Sequence, residues 1–166
     1  MVPSPSHRDA RAAQRITRIH LATALVVRDG CVLLVASTYP SHDRPLWNMP
    51  GGRQQPGELI EQTVLRELRE ETGLEGTISA LAYVSESYDG ETHFTNFTFV
   101  AHARGEISRP HESGDHVVDA AWVPFQEIRE RIEVAVVREP LEEFLNGNER
   151  RYFGYAEAGI SIAFPD

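Results

Sequence analysis

Cysteine is nearly missing from this sequence: Cys31 is the only one in 166 residues. No intramolecular disulfide can form, so the fold must rest on its core. Cys31 lies in an apolar run, GCVLLV, and reads as a small buried core residue. Basic residues are also scarce. Sixteen Lys+Arg stand against 25 Asp+Glu, a net charge of −9. Such a chain does not attract phosphates by its overall field, and sequence-independent binding to duplex DNA is disfavoured. A nucleotide ligand would need local arginines or bound cations. No apolar stretch is long enough to cross a bilayer. The opening MVPSPSHRDARAAQR has no hydrophobic segment of the signal-peptide kind, which makes the cytoplasm the expected location. Wholesale disorder is excluded as well: 41% of the residues are apolar, and the length suits one domain with a core of its own.

Residues 1–14 are polar, with two prolines, and are expected to be a flexible terminus. RITRIHLATALVVRDGCVLLVAS reads as two strands around an Asp29-Gly30 turn. STYPSHDRPLWNMPGG is a loop rich in turn formers. The period then changes. Ile60, Val64, Leu65 and Leu68 recur at three- and four-residue steps, which predicts an amphipathic helix over 60–72. Pro56-Gly57 before it and Gly73 after it are start and stop signals. Strand signals return over 77–104, broken by an Asp89-Gly90 turn. Phe94, Phe97, Phe99 and Val100 do not alternate cleanly, which suits a bulge or burial on both faces. Residues 105–116 read as a polar loop and VVDAAWVP as a strand. FQEIRERI and REPLEEFLNG read as short helices, and the tail as one more strand. With no repeat and no linker, residues 15–166 are expected to form one α/β domain with a mixed sheet.

Glu67, Glu70 and Glu71 fall at i, i+3 and i+4, on one face of the helix. Two charges ~5 Å apart at an effective dielectric of ~20 repel by ~3 kcal/mol. Arg66 and Arg69 offset part of this. Spacing alone leaves two readings: a solvated acidic face, or carboxylates gathered for a cation.

The surrounding residues extend the pattern. Gly52, Glu58, Arg66, Glu67, Leu68, Glu70, Glu71, Gly73 and Leu74 fill every fixed place of G-x5-E-x7-R-E-L-x-E-E-x-G-L. This stretch, GRQQPGELIEQTVLRELREETGL, resembles the Nudix box of the Nudix hydrolases. LWNMPGG before it and WVP at 122–124 after it extend the likeness. The resemblance implies an α/β/α sandwich with a mixed sheet. It also implies a metal-dependent hydrolase that cleaves a pyrophosphate bond in a nucleoside diphosphate linked to another group. Glu67, Glu70 and Glu71 would hold Mg²⁺ or Mn²⁺, both of which take hard oxygen ligands. By the same resemblance Glu58 is an auxiliary ligand, Gly52 lets the backbone approach the metal, and Arg66 orients the glutamates. Gly73 supplies the positive φ that ends the helix.

The general base stays open among Glu67, Glu112, Asp115 and His116, which stands where many relatives carry a carboxylate. For substrate binding, Trp47 and Tyr88 are candidates to stack on a base and Arg53 to pair with phosphate; Tyr39, Tyr83, Phe94, Arg44 and Arg104 are further ones. Relatives that act on ADP-ribose often carry a proline about fifteen residues past the box. This chain has Tyr88, Asp89 and Gly90 there, which speaks against that subclass. A small nucleotide is the implied partner, duplex DNA and membrane are not, and a homodimer through the tail is compatible. Two other classes compete. A nucleotide-binding module without turnover would usually show a damaged box. An acidic interaction helix accounts for the glutamates but not for Gly52, Glu58 and Arg66.

Overall fold

Two apolar runs, LATAL and CVLLVAS, form the centre of the molecule. In the computed structural model, which describes residues 16–108 and 116–156, they belong to strands β1 (Thr17–Leu25) and β3 (Cys31–Ser37). Val32 and Leu34 of β3 pack into one apolar cluster and Leu33 into another. Side chains alternate across a strand, so a strand covered on both faces needs an unbroken apolar run.

The other elements are β2 (Val27–Arg28), β4 (Leu46–Asn48), β5 (Gly51–Arg53), α1 (Ile60–Thr72), β6 (Glu75–Tyr88), β7 (Thr92–Arg104), β8 (Val117–Pro124), α2 (Ile128–Arg131), α3 (Ala135–Leu145) and β9 (Tyr152–Ala156). Among the described residues the strands make two sheets. One is mixed, in the order β5-β1-β7-β6-β9, with β1–β7 and β6–β9 parallel. The other is antiparallel, with β3 between β2, β4 and β8. On one side Val64 and Leu68 of α1 pack with Ala22, Ala24 and Leu33. On the other, Ile128, Ile132 and Leu141 from the α2–α3 region pack with Leu25, Leu34 and Phe153. The result is the α/β/α arrangement with a mixed sheet.

Three local readings are refined. The Asp29-Gly30 turn forms, at φ 49° and 75°, yet it joins β3 only to the two-residue β2. β1 belongs to the other sheet, beside β5 and β7. The irregular β6–β7 pairing comes from register slips at Ile78/Ala80 and Leu81/Tyr83, opposite Thr98–Ala101. α3 begins at Ala135, ahead of REPLEEFLNG, and runs through Pro140. Residues 1–14, expected to be a flexible terminus, and most of the tail lie outside the described residues; within the tail, β9 is the added strand.

All 16 Lys+Arg positions of the chain are arginine; there is no lysine. Several guanidinium groups lie on aromatic faces: Arg28 is 4.4 Å from the Trp122 ring centre, Arg150 4.5 Å from Phe153 and Arg131 5.0 Å from Trp47. No described helix is long and apolar enough to cross a membrane.

Candidate active site

α1 runs over the residues its periodicity predicts, Ile60–Thr72. At its start the Leu59 N–H donates to Gln62 Oε1 at 2.7 Å. At its end Gly73 takes φ 74° and returns its N–H to the Arg69 carbonyl. Beyond that turn the Ser108 N–H donates to the Thr72 carbonyl at 2.9 Å.

Arg66 sits at the centre of the carboxylates. Nε and Nη2 donate to the two oxygens of Glu58, at 2.6 and 3.1 Å. Nη1 donates to Glu67 Oε1 at 2.7 Å and to Glu70 Oε2 at 3.1 Å. Nη2 also reaches the Arg53 carbonyl at 3.1 Å. All five donors of the guanidinium are thereby used. Its side chain is 16% exposed, which makes it a fixed bracket between α1 and the loop before it. Glu58 is equally engaged: it also accepts from the Gln55 N–H at 3.0 Å and the Thr63 hydroxyl at 2.9 Å. Hydrogen bonding to Arg66 is the main cause that holds its carboxyl down, at about 2. With both oxygens taken by protein donors, Glu58 braces Arg66 at the edge of the groove that Arg53 lines.

The three box glutamates differ in setting. Glu70 is half exposed and Glu67 mostly buried. Glu71 is buried, at 4% exposure, and its Oε2 accepts from the Gly51 N–H at 2.9 Å. A Cβ on Gly52 would lie on the Glu67 carboxylate; the glycine makes room for that group. Burial pushes the Glu67 carboxyl above its ordinary value, and Arg66 pulls it back only in part.

A cavity opens beside Glu71, Gly51 and Gly52. It runs over the faces of β1, β6 and β7 and is closed by Val136 and Val137 of α3 and Tyr155 of β9. The candidate residues divide here. Gly52, Glu71, Tyr39, Phe94 and His116 line this cavity. Arg53 lines a separate groove with His20 and Gln55. Trp47 faces another surface groove, under Arg131. Tyr88 lies at the end of its hairpin, its hydroxyl on the Gly90 carbonyl at 2.9 Å. Trp47 and Tyr88 therefore stand away from the cavity, because their strand positions turn them elsewhere. Glu112 and Asp115 lie outside the described residues.

Sequence reasoning missed Thr23, Ser37, Asn48, Ser85 and Asn96, all of which line the cavity. Thr23 Oγ1 donates to Asn96 Oδ1 at 2.8 Å, and Asn48 Oδ1 accepts from the Met49 N–H at 2.7 Å. Asn48 had a signal, its place in LWNMPGG. The others look like solvent-facing positions of ordinary strands.

Among the described residues no three His, Cys, Asp or Glu side chains stand as a ready metal-binding group. The donor chemistry nevertheless fits a hard cation. Glu67 and Glu70 share one guanidinium nitrogen, and Glu67 remains under-compensated beside Arg66. A further positive charge at these carboxylates would relieve that imbalance.

Fold, box helix and cavity together define a Nudix hydrolase domain. The NUDIX domain family model matches residues 18–144, and the chain belongs to the Nudix hydrolase family. Among curated relatives, MutT4 of Mycobacterium tuberculosis is 31% identical over 145 residues, 80% of this chain and 57% of that one. Human 8-oxo-dGDP phosphatase NUDT18 is 30% identical over 115 residues, 69% of this chain and 34% of that one. Among solved structures, a NUDIX hydrolase from Nitrosomonas europaea superposes with a TM-score of 0.69 at 27% identity, covering 82% of this chain and 93% of that one. The chain spans between 36% and 57% of the length of the first curated relatives it matches.

Proposed function

We propose that this chain is a divalent-cation-dependent pyrophosphohydrolase that cleaves a phosphoanhydride bond in a small nucleotide, a nucleoside diphosphate linked to another group. The observation that carries it is Arg66 gathering Glu58, Glu67 and Glu70 on the helix whose Glu71 opens onto the cavity.

Glu67, Glu70 and Glu71 would hold Mg²⁺ or Mn²⁺, with Gly52 leaving the space. When bound there, such a cation would supply positive charge to polarise a phosphoryl oxygen and lower the pKa of the attacking water. The protein's own residues do the rest. Arg66 fixes the directions of Glu67 and Glu70, and Gly51 that of Glu71. The cavity takes the nucleoside: Phe94 offers a ring face, and Asn48, Asn96 and Ser85 offer polar edges. Water oxygen bonds to phosphorus, the anhydride P–O bond breaks, and a carboxylate takes the water's proton. Glu67, Glu112, Asp115 and His116 are the candidates for that base. No arginine lines the cavity among the described residues, so it favours an uncharged nucleoside end with the phosphates towards the glutamates. The human relative's name, a phosphatase of 8-oxo-dGDP, supports the same substrate class.

The test is phosphate-product release over a panel of nucleoside di- and triphosphates, ADP-ribose, dinucleoside polyphosphates, NADH and nucleotide sugars, with Mg²⁺ or Mn²⁺. Glu70→Gln runs beside the native protein. Activity on one class, lost in the variant, is the expected result. Silence across the panel with metal bound would favour a nucleotide-binding module.

A further inference from the structure

The cavity wall beside Glu71 holds a tyrosine whose hydroxyl has no part in the chemistry above. Tyr39 follows β3 in the connection to β4 and is buried. It lines the cavity with Gly51, Gly52 and Glu71, at the carboxylate end. Its ring is clamped from several sides. It clusters with Leu46 and Val134. The His116 ring lies 5.9 Å away at 55°, and the His42 ring 6.3 Å away at 72°. The backbone is tied as well: the Thr38 N–H and hydroxyl both donate to the His116 carbonyl, at 2.9 and 3.2 Å, and the His42 N–H to the Tyr39 carbonyl at 3.0 Å. The phenol hydrogen-bonds with the side chain of Ser37, itself buried on the same wall. Burial first, then the charge of Glu71, holds the hydroxyl above its ordinary value.

Such a group has a definite chemical use. A fixed, neutral O–H donor adds no negative charge to a site that already carries three carboxylates. Hydrogen bonds from neutral donors to anionic oxygens are markedly stronger than neutral pairs. No arginine is on the described wall; beside the Tyr39 hydroxyl this part of the cavity offers a phosphate the Ser37 hydroxyl, the Asn48 amide and the His116 ring. We propose that Tyr39 is a phosphate-contacting residue, its hydroxyl donating to a non-bridging oxygen of the phosphate joined to the nucleoside, with Ser37 orienting it. This deepens the proposed function and rests on the cavity being a nucleotide site.

Tyr39→Phe keeps the ring and its clamps and removes only the hydroxyl. A nucleoside monophosphate and its parent nucleoside are titrated by calorimetry into native protein and variant, so that nothing turns over. The expected result is unchanged affinity for the nucleoside and about tenfold weaker binding of the monophosphate. Ser37→Ala, which leaves the ring untouched, should give a smaller loss of the same selective kind. Unchanged monophosphate affinity in Tyr39→Phe would overturn the proposal. So would an equal loss for both ligands, which would make Tyr39 a nucleoside or packing residue. Failure of the enzyme assignment shows separately, as native protein that binds the monophosphate yet hydrolyses nothing in the panel; the two titrations still decide the role of Tyr39.

Discussion

Glu71 on α1 and Gly51 on β5 are joined by a 2.9 Å hydrogen bond from the glycine N–H to the glutamate Oε2. Gly51 is paired in register with Thr23 of β1. A buried carboxylate thus ties the box helix to the edge of the mixed sheet and presents its charge to the cavity. Glu71→Gln keeps an acceptor oxygen for Gly51 and removes the charge. Turnover is expected to fall on the order of 10²–10³-fold, with thermal stability little changed. A variant as active as native protein at limiting Mg²⁺ would remove Glu71 from the site.

Arg66 spreads five donors over three carboxylates and a carbonyl, a fork that lysine cannot reproduce. Arg66→Lys keeps the charge but loses most of these bonds. It is expected to cost about 2–4 kcal/mol of stability, read from urea denaturation with chelator present. A loss well below 1 kcal/mol would show that the bracket is not structural.

Glu58 gives a pH signature. Its carboxyl falls from the ordinary 4.5 to about 2 in the folded protein. A depressed carboxyl stabilises the fold fully above the unfolded value, and the contribution is lost as pH falls through the folded one. Native protein should lose stability between pH 4.5 and about 2. Glu58→Gln should flatten that limb. Parallel stability–pH curves for the two proteins would contradict it.

Glu67 has the opposite sign. Its raised carboxyl stabilises only below the unfolded value, and that contribution is lost as pH rises through the folded one. At neutral pH its ionisation opposes folding until a cation compensates. Adding Mg²⁺ to chelated protein should therefore raise the Tm, by an amount set by concentration over Kd, about 2.7 kcal/mol at a hundredfold excess. Glu67→Gln should be more stable than native protein in chelator and gain less from Mg²⁺. Equal gains in both would separate Glu67 from the cation.

Gly52 and Gly57 make a matched pair of substitutions. A Cβ at 52 meets the Glu67 carboxylate, whereas at 57 it meets nothing but has to adopt φ 85°. Gly52→Ala is expected to lower kcat more than tenfold and stability by ~1–2 kcal/mol. Gly57→Ala should cost about 1 kcal/mol of stability and leave kcat alone. Equal kcat values for the two variants would argue against a special approach at Gly52.

The helix was the most legible part of the sequence because its information is local. Ile60, Val64 and Leu68 mark one face, and Gly73 marks the end in the left-handed conformation such a stop needs. A mixed sheet was legible in the run of strand and helix signals, but its strand order was not. Nothing near the Asp29-Gly30 turn says that β1 will lie parallel to β7, some seventy residues on. The cavity was less legible still. Thr23, Ser85 and Asn96 alternate with apolar neighbours as surface residues do, and only strand register turns them inward. Trp47 and Tyr88 drew notice as aromatic rings, yet their positions in register carry them elsewhere.

The arginine-only basicity of this chain has a practical side. Because no side chain among the 166 residues carries a primary amine, acylating dyes and amine-directed crosslinkers have no side-chain target here. Thiol-directed labels must enter through Cys31, which the structure leaves partly exposed rather than buried in the core, and a lysine placed at any chosen position would be chemically unique among the side chains.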